Sequence, residues 1–385
     1  MPKSAGKTSA SAATARARAR ETRSMEASPA RSAPAAQAAH ARARAEETER
    51  RKEEHLRIPL EKDVQSIPNP WDAIRLRHNA VPEMDKADVD LATVFLGRRL
   101  KAPILVTGMT GGARKAREFN DRLAAAAAEH GLAMGVGSQR AALENPALAD
   151  TYSVILDHDV PLRIANLGLP QLILWGDEAV AKAKEAVAMV KAHALAIHLN
   201  YLQEAVQPEG DTVAKGGLAA IGRLAKALKV PVIAKETGAG VSGQAAAALK
   251  SAGVAAIDVG GLGGTSFSAV EHWRALDQGD AVKARLGRTF WDWGIPAPDA
   301  VRQVRAASRS IQIVATGGLR NGLDALRAIA CGANMAGFAG HMFRAAANGK
   351  QAAIAELGII KEELKTGLFL LGLPSPSRVT EESLA

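Results

Sequence analysis

Eight short apolar runs, each ending in glycine or polar residues, constrain the fold of this 385-residue chain more than any other feature. Between them lie alanine-rich stretches of the kind that form helices. Apolar strands that alternate with helices indicate a parallel sheet covered on both faces. The predicted strands span residues 103–108, 133–138, 163–168, 196–200, 231–236, 256–261, 313–318 and 334–340.

The number and spacing of these units predict an α/β fold, a single (β/α)8 TIM barrel. Eight units over about 240 residues match such a barrel in both count and length. An open, doubly wound sheet is the alternative, but it gives no reason for eight units. The predicted helices between the strands include residues 115–130, 178–192, 216–228, 244–252, 298–308 and 322–331.

The rest of the chain divides around this barrel, which is expected to occupy residues 103–345. Residues 45–102 form a lead-in, with a highly charged helix at 45–57 and an irregular, proline-containing part from 58 to 100. Residues 346–385 are expected to be closing helices followed by a loose tail. Residues 1–44 hold nine Lys and Arg against two Glu, and so carry +7 of the net charge of +9.

The first 44 residues are predicted to be a disordered basic extension. They are rich in Ala, Arg and Ser and lack the large apolar residues that a folded segment must bury. A nucleic-acid-binding tail is an alternative, but the segment has no aromatic residue to stack on bases. A transit peptide is another, and it is weakened by the same Ala/Arg bias in the rest of the chain.

The composition favours a cytoplasmic protein. A hydrophobic content of 47% is ample for a large core. A single cysteine, Cys331, excludes a disulfide framework and a cysteine zinc site, which favours a reducing compartment. No apolar run reaches the roughly 18 residues that a membrane span requires. We therefore expect a soluble protein with no membrane partner and no specific nucleic acid.

Polar side chains crowd the end of the fourth predicted strand. His198 and Asn200 alternate with Leu199 and so point to one face of an extended chain. Gln203 and Glu204 follow directly. A solvated loop is the simplest explanation, but polar or glycine residues follow all eight strands, and barrel active sites lie at the carboxyl ends of strands. The sequence therefore predicts a site there.

Two glycine-containing loops predict a phosphate-bearing cofactor. Gly317 and Gly318 with Arg320, and Gly340 in the next unit, follow the seventh and eighth strands, where barrels commonly bind phosphate through backbone N–H groups. Lys235 ends the fifth strand; it could form a Schiff base, lie beside an electron-rich ring or pair with Glu236.

The motifs, taken in order, resemble one known family. They are RKxxH at 51–55, TGMTGG at 107–112, GSQR at 137–140, NLG at 166–168, IHLNYLQEAVQPEGD at 197–211, KE at 235–236, GGTS at 263–266, Glu271, DWGIP at 292–296, GGLRNG at 317–322 and AG at 339–340. This series resembles the type 2, FMN-dependent isopentenyl-diphosphate delta-isomerases over residues 50–345. The resemblance implies interconversion of isopentenyl and dimethylallyl diphosphate by reduced FMN, with Mg²⁺, and with NADPH as the reductant.

The resemblance also implies roles for individual residues. Catalytic roles fall on Gln203, Glu271, His198 and Asn200, and Glu204 is the metal ligand. FMN would contact Thr107, Gly108, Met109, Thr110, Ser138, Asn166, Lys235, Thr265, Gly317, Gly318, Arg320, Ala339 and Gly340. The substrate would contact Arg51, Lys52, His55, Ser138, Gln139, Arg140, His198, Asn200 and Gln203. The family also implies a homo-oligomer, a tetramer or an octamer.

Two alternatives remain at this point. An FMN-dependent 2-hydroxy-acid oxidase would need a histidine in the loop after the sixth strand, and residues 260–265 contain none. A non-catalytic flavoprotein is the other, and the polar set from His198 to Glu204 argues against it. Tyr201, Leu262 and Phe267 depart from the common family residues, but none of them removes a charged group.

Overall fold

Eight parallel strands close into a barrel in the computed structural model, which describes residues 50–385. The strands of this part of the chain are β1 (Thr93–Phe95), β2 (Arg98–Leu100), β3 (Ile104–Val106), β4 (Ala133–Gly135), β5 (Leu162–Gly168), β6 (Ala194–Leu199), β7 (Val232–Glu236), β8 (Ala256–Asp258), β9 (Gln312–Ala315) and β10 (Met335–Phe338). Strands β3 to β10 pair in sequence order and β10 pairs with β3, which closes the ring. The predicted (β/α)8 barrel is confirmed; the predicted disordered extension at 1–44 lies outside the described residues.

All eight barrel strands overlap the predicted segments, although most of them end earlier. Strand β9, for example, ends at Ala315, whereas the prediction ran to residue 318. The extra residues are the polar and glycine residues that leave the ladder at the carboxyl end. They form the loops around the candidate site.

The helices of the described residues surround this ring. They are α1 (residues 50–61), α2 (Arg114–Glu129), α3 (Arg140–Glu144), α4 (Asp150–Ser153), α5 (Leu169–Leu174), α6 (Ala179–Met189), α7 (Tyr201–Val206), α8 (Gly217–Ala227), α9 (Gly243–Ser251), α10 (Phe267–Asp277), α11 (Ala281–Thr289), α12 (Ala297–Ala307), α13 (Gly322–Ala330), α14 (Gly340–Ala347) and α15 (Lys350–Leu371). The six predicted interstrand helices correspond to α2, α6, α8, α9, α12 and α13. Within residues 50–385, no helix combines the length and hydrophobicity that a membrane span requires.

A hairpin closes the amino-terminal end of the barrel, in a region that the sequence predicted to be irregular. Strands β1 and β2 pair antiparallel through a two-residue turn at Leu96 and Gly97, both with positive φ, as a tight hairpin turn requires. Phe95 and Leu100 are buried and join the apolar cluster of alternate strand residues inside the barrel, such as Leu162. The hairpin therefore plugs the end opposite the candidate site.

Helix α1 packs across the carboxyl ends of the strands. Its described part runs to residue 61, four residues beyond the predicted end. Leu56 packs in a cluster with Phe343, and the fully buried Ile58 packs in a second cluster with Val270. These two apolar contacts fix the orientation in which the charged residues of α1 meet the barrel.

The chain on either side of the barrel is also anchored. A short 3-10 helix, Pro70–Ala73, buries Trp71 completely. The sequence predicted a loose tail at the other end of the chain. That segment instead contains two short 3-10 helices, and the amide of Ala385 donates to the carbonyl of Arg75. The carboxyl terminus is thus tied to the segment that enters the barrel.

Candidate active site

A cavity of about 710 Å³ opens at the carboxyl ends of the barrel strands. Loops after all eight barrel strands contribute to its wall, and α1 contributes from above. Of the predicted site residues, the wall contains Arg51, Lys52, His55, Thr107, Gly108, Met109, Thr110, Ser138, Arg140, Asn166, His198, Asn200, Gln203, Glu204, Lys235, Thr265, Gly317, Gly318, Arg320, Ala339 and Gly340. Residues separated by nearly 290 positions in the chain therefore share one cavity.

Two predicted site residues lie behind this wall. Gln139 is fully buried; its amide donates to the carbonyl of Ala186 at 2.9 Å and its Oε1 accepts from the amide of Asn166 at 3.0 Å. It supports the β4 and β5 loops and does not face the cavity. Glu271 is also fully buried, and it contacts the cavity through His55 and Gln203.

Positive charge converges on one side of the cavity. Burial, together with the charges of Arg51 and Arg140, lowers the pKa of Lys52 to about 7. Arg140 is held by Glu144 at 2.8 Å and by Asp211 at 3.1 Å. Crowded cations of this kind are stabilised by an anion, and phosphate oxygens accept several charge-assisted hydrogen bonds at once.

His198 lies next to this cationic group as a neutral imidazole. Burial, with the charges of Lys52 and Lys235, lowers its pKa to about 3. Its Nδ1 lies 2.8 Å from Oδ1 of Asn166, whose own amide donates to the carbonyl of Val136. Since a carbonyl oxygen accepts, the proton is on Nδ1 and Nε2 remains an acceptor.

Amide and carboxylate groups form the next part of the wall. Nδ2 of Asn200 donates to Glu204 Oε1 at 2.9 Å, while the buried Oδ1 of Asn200 has no partner within residues 50–385. Gln203 donates to Oε1 of Glu271 at 2.9 Å, and His55 Nε2 lies 2.8 Å from the same oxygen. An unsatisfied buried carbonyl is costly, so the orphaned oxygen of Asn200 marks a position where a donor from a ligand fits.

Glu204 is the candidate metal ligand. Burial raises its pKa, while its Oε2 accepts from Gln207 at 2.8 Å and from the amide of Asp211 at 2.7 Å. In the part of the chain that the structure describes, no three His, Cys, Asp or Glu side chains group as a metal cage. One carboxylate fits Mg²⁺, which is commonly held by one or two carboxylates together with phosphate oxygens and water.

The opposite side of the cavity has the features of a phosphate cradle. Gly317 and Gly318 have φ of 102° and 80°, and a Cβ on Gly318 would lie 2.3 Å from the carbonyl oxygen of Gly263. Helix α14 begins at Gly340 in the cavity wall without a side-chain cap. The free N–H groups of its first turn suit an anion.

Two residues that the sequence did not single out hold this cradle. Nδ2 of Asn69 donates to the carbonyl of Gly318, and Trp71 Nε1 donates to the carbonyl of Gly317, both at 2.7 Å. With the carbonyls engaged on that side, the amides of Gly318 and Leu319 have no acceptor within the described residues. The prolines of this region predicted irregular structure but gave no sign of the distant partners of Asn69 and Trp71.

Lys235 and Arg320 are both engaged in ion pairs. Nζ of Lys235 lies 2.9 Å from Asp258, not against the carboxylate of Glu236, which accepts the amides of residues 238–240. Arg320 pairs with Asp324 at 2.8 Å and with Asp72. Both remain in the cavity wall, so a bound cofactor would meet fixed cations.

The sequence comparisons agree with this arrangement. A profile of the family described as FMN-dependent dehydrogenase matches residues 61–385. An isopentenyl-diphosphate delta-isomerase from Thermoplasma volcanium is 45% identical over 326 residues, 84% of this chain and 92% of that protein. Proteins of the same name from Thermoplasma acidophilum and Archaeoglobus fulgidus are also 45% identical, with the same coverage. The chain belongs to the isopentenyl-diphosphate delta-isomerase family.

Solved structures outside this family share the fold. A lactate oxidase from Pediococcus acidilactici superposes with a TM-score of 0.60 at 16% identity, covering 82% of this chain and 83% of its own. The flavin-binding domain of baker's yeast flavocytochrome b2 gives the same TM-score and identity, with 76% of that chain covered. At this identity the likeness concerns the barrel alone, whereas the family membership rests on the isomerase relatives.

Proposed function

We propose that this chain interconverts isopentenyl and dimethylallyl diphosphate with bound FMN and without net oxidation or reduction. The observation that most supports this proposal is that Arg51, Lys52 and Arg140 converge on one cavity. The same cavity contains Gln203 and the phosphate cradle. One cavity thus offers places for two phosphorylated molecules. The name of the relatives indicates isopentenyl diphosphate as one of them, and the description of the matched family indicates FMN as the other.

FMN would occupy the side of the cavity formed by the loops after β3, β9 and β10. Its phosphate suits the free amides of the Gly317–Gly318 loop and the first turn of α14, with Arg320 nearby. Thr107, Met109, Lys235 and Thr265 would contact the ring and its side chain. When reduced and bound, the flavin supplies an electron-rich ring that carries a proton next to the substrate.

The diphosphate would lie against Arg51, Lys52, Arg140 and His198. Two arginines and a lysine give it charge-assisted hydrogen bonds, and an anion here would raise the pKa of Lys52 again. Beside it, the negative charge of the diphosphate would raise the pKa of His198, and a protonated Nε2 would then donate to a phosphate oxygen. The substrate is thereby held by its charged end, with its hydrocarbon part free to reach the flavin side.

Glu204 would hold Mg²⁺ on the diphosphate side of the cavity. Glu204 is in the cavity wall near Asn200, and Mg²⁺ takes most of its ligands from phosphate and water. We assign NADPH the role of reducing FMN before turnover. The metal would add charge stabilisation to the diphosphate, and the reductant would be needed in catalytic amounts only.

Gln203, Glu271, His198 and Asn200 would align the reacting carbons and protons. Burial disfavours a charged Glu271, but His55 and Arg274 outweigh it and hold the pKa of Glu271 at about 2. Glu271 is therefore a carboxylate at neutral pH, and it fixes the amide of Gln203 by accepting its N–H. An amide does not titrate, so Gln203 acts by position.

The assembly and location are proposed on the family resemblance. We infer a homo-oligomer, a tetramer or an octamer, and large apolar side chains such as Val282 and Trp293 on the exposed surface support self-association. The free, buried Cys331 accords with a reducing cytoplasm.

The test is an anaerobic incubation of the purified protein with FMN, NADPH, Mg²⁺ and isopentenyl diphosphate. We expect dimethylallyl diphosphate, and none in a control that lacks the reductant. Flavin binding without product under full reduction would contradict the proposal. It would favour the alternatives, a 2-hydroxy-acid oxidase or a non-catalytic flavoprotein. A Gln203→Leu protein, which lacks the amide but fills a similar volume, serves as a control for the role of this cavity in product formation.

A further inference from the structure

A single buried arginine, Arg274 of α10, engages three carboxylates at once. Its side chain is 1% exposed, its Nε donates to Glu54 at 2.7 Å, and Nη1 and Nη2 donate to Glu271 and Glu209, each at 2.6 Å. Each guanidinium nitrogen therefore has its own acceptor. Burying such a charge is unfavourable unless its nitrogens are hydrogen-bonded, as all three are here.

The three carboxylates come from three separate parts of the chain. Glu54 is on α1, next to His55; Glu209 is in the loop that follows α7; and Glu271 is one turn before Arg274 on α10. Arg274 therefore connects the helix above the cavity, a loop beside it and the helix behind it. Arg57 with Asp277 and His55 with Glu271 also join α1 to α10, but neither pair reaches the loop.

Each connected part also carries cavity residues. Helix α1 brings Lys52 and His55 to the wall. Two residues after Glu209, Asp211 holds Arg140 at 3.1 Å and donates its amide to Glu204 at 2.7 Å. Arg274 itself does not line the cavity. Each of its three ion pairs, however, connects it to a part of the chain whose residues line the cavity or hold residues that do.

We propose that Arg274 is the positioning residue that docks α1 onto the barrel and aligns its cations with Glu271 and the 207–211 loop. The docking does not depend on what the cavity binds; its kinetic consequence rests on the proposed function. Without Arg274 the three carboxylates would repel one another, and α1 would lose its buried ion pair with α10. It would keep the more exposed pair of Arg57 with Asp277, the contact of His55 with Glu271 and the apolar contacts of Leu56 and Ile58.

The charged groups that face Glu271 are few. Arg274 from its own helix and His55 from α1 contact it directly, whereas Glu54 of α1 and Glu209 of the loop lie on the other nitrogens of Arg274. Removing the arginine leaves the imidazole of His55, whose pKa is lowered by burial, among three acids. The effect of a substitution is therefore concentrated on the α1 side of the cavity.

Hydrogen–deuterium exchange of the full chain tests the docking directly. We expect the amides of residues 50–61 to exchange about tenfold faster or more in Arg274→Met. The same is expected in Glu54→Gln, which removes only the ion pair between Arg274 and α1. Glu54→Gln keeps the other two ion pairs, so it preserves a folded protein if Arg274→Met does not. Arg305→Met is the matched control, since that arginine bonds carbonyls near Gly332, away from the cavity.

Kinetics separate positioning from simple stability. Glu54→Gln should raise the KM for isopentenyl diphosphate with little change in kcat, whereas Arg274→Met should also lower kcat, by about 100-fold, because Glu271 loses its alignment. Unchanged exchange in residues 50–61 of both variants would overturn the inference. A protein that loses α1 protection yet never makes product would retain the docking and refute the proposed function instead.

Discussion

The charge state of Lys52 is the residue-level property that most directly connects structure to substrate binding. Its pKa of about 7 means that the free enzyme holds a protonated lysine below that pH and loses the charge above it. The first association with a diphosphate depends on this charge. Binding should therefore weaken as the pH rises through neutrality.

Lys52→Arg tests this dependence. An arginine stays charged at every accessible pH, so kcat/KM should stop falling above pH 7, whereas the wild-type value declines there. Lys52→Ala should raise KM by about 10- to 100-fold, the equivalent of one lost charge-assisted hydrogen bond. The measurement is kcat/KM from pH 6 to 9; an identical decline in Lys52→Arg would show that another group titrates.

A second prediction concerns the metal ligand. Glu204→Gln keeps the shape of the side chain but removes its charge, so a higher Mg²⁺ concentration, by about 10-fold or more, should be needed for half-maximal activity. FMN affinity should stay unchanged. Glu185→Gln, on the outer surface of the barrel, is the control. Loss of FMN from the Glu204 variant would count against the metal assignment.

At the level of single residues, most of the site residues that the sequence predicted lie in the cavity wall. Motif position identified Arg51, His198 and Gly318, since each follows a strand or belongs to a recognisable block. It did not reveal that Gln139 turns away from the cavity, because side-chain direction at the start of α3 depends on the packing of α6. The role of Arg274 depends on three distant acids, and spacing carries no trace of such contacts.

At the level of elements, the segment before the barrel determines the shape of the phosphate cradle. The indole N–H of Trp71 donates to the Gly317 carbonyl from outside the barrel. The amides of the Gly317–Gly318 loop are therefore turned to the cavity. Trp71→Phe leaves that carbonyl unpaired, at a cost of about 1–3 kcal/mol. We expect FMN to bind about 10-fold more weakly.

Fluorescence titration of FMN measures this effect. Trp293→Phe removes an exposed tryptophan that lies outside the cavity wall and serves as the control. Equal FMN affinity in the Trp71 variant and the wild type would mean that the loop holds its conformation without this bond.

Strands and outer helices were predictable because their periodicity is local. The hairpin of β1 and β2 was missed because it is short and lies among prolines and charges, although the sequence Leu96-Gly97 matches a tight turn. Helix α1 was predicted but given an early end, since Ile58 looked like the start of an irregular segment. The burial of Ile58 against Val270 is a tertiary contact, which the local sequence does not show.

At the level of the whole molecule, the hairpin closes one end of the barrel and the candidate site opens at the other. Saturating FMN should raise Tm by about 5 °C, as expected when a ligand at 100 times its Kd binds only the folded state. Riboflavin, which lacks the phosphate, should give a much smaller shift at the same concentration. Equal shifts would contradict the phosphate cradle; differential scanning fluorimetry suffices for both.

The claim that this flavin barrel catalyses isomerisation, and not a redox reaction, is tested most directly by stoichiometry. The measurement is the number of dimethylallyl diphosphate molecules formed per NADPH oxidised, under anaerobic conditions with excess isopentenyl diphosphate. We predict many products for each NADPH, because reduction only prepares the flavin. One NADPH consumed per product would contradict the account and identify the protein as an oxidoreductase.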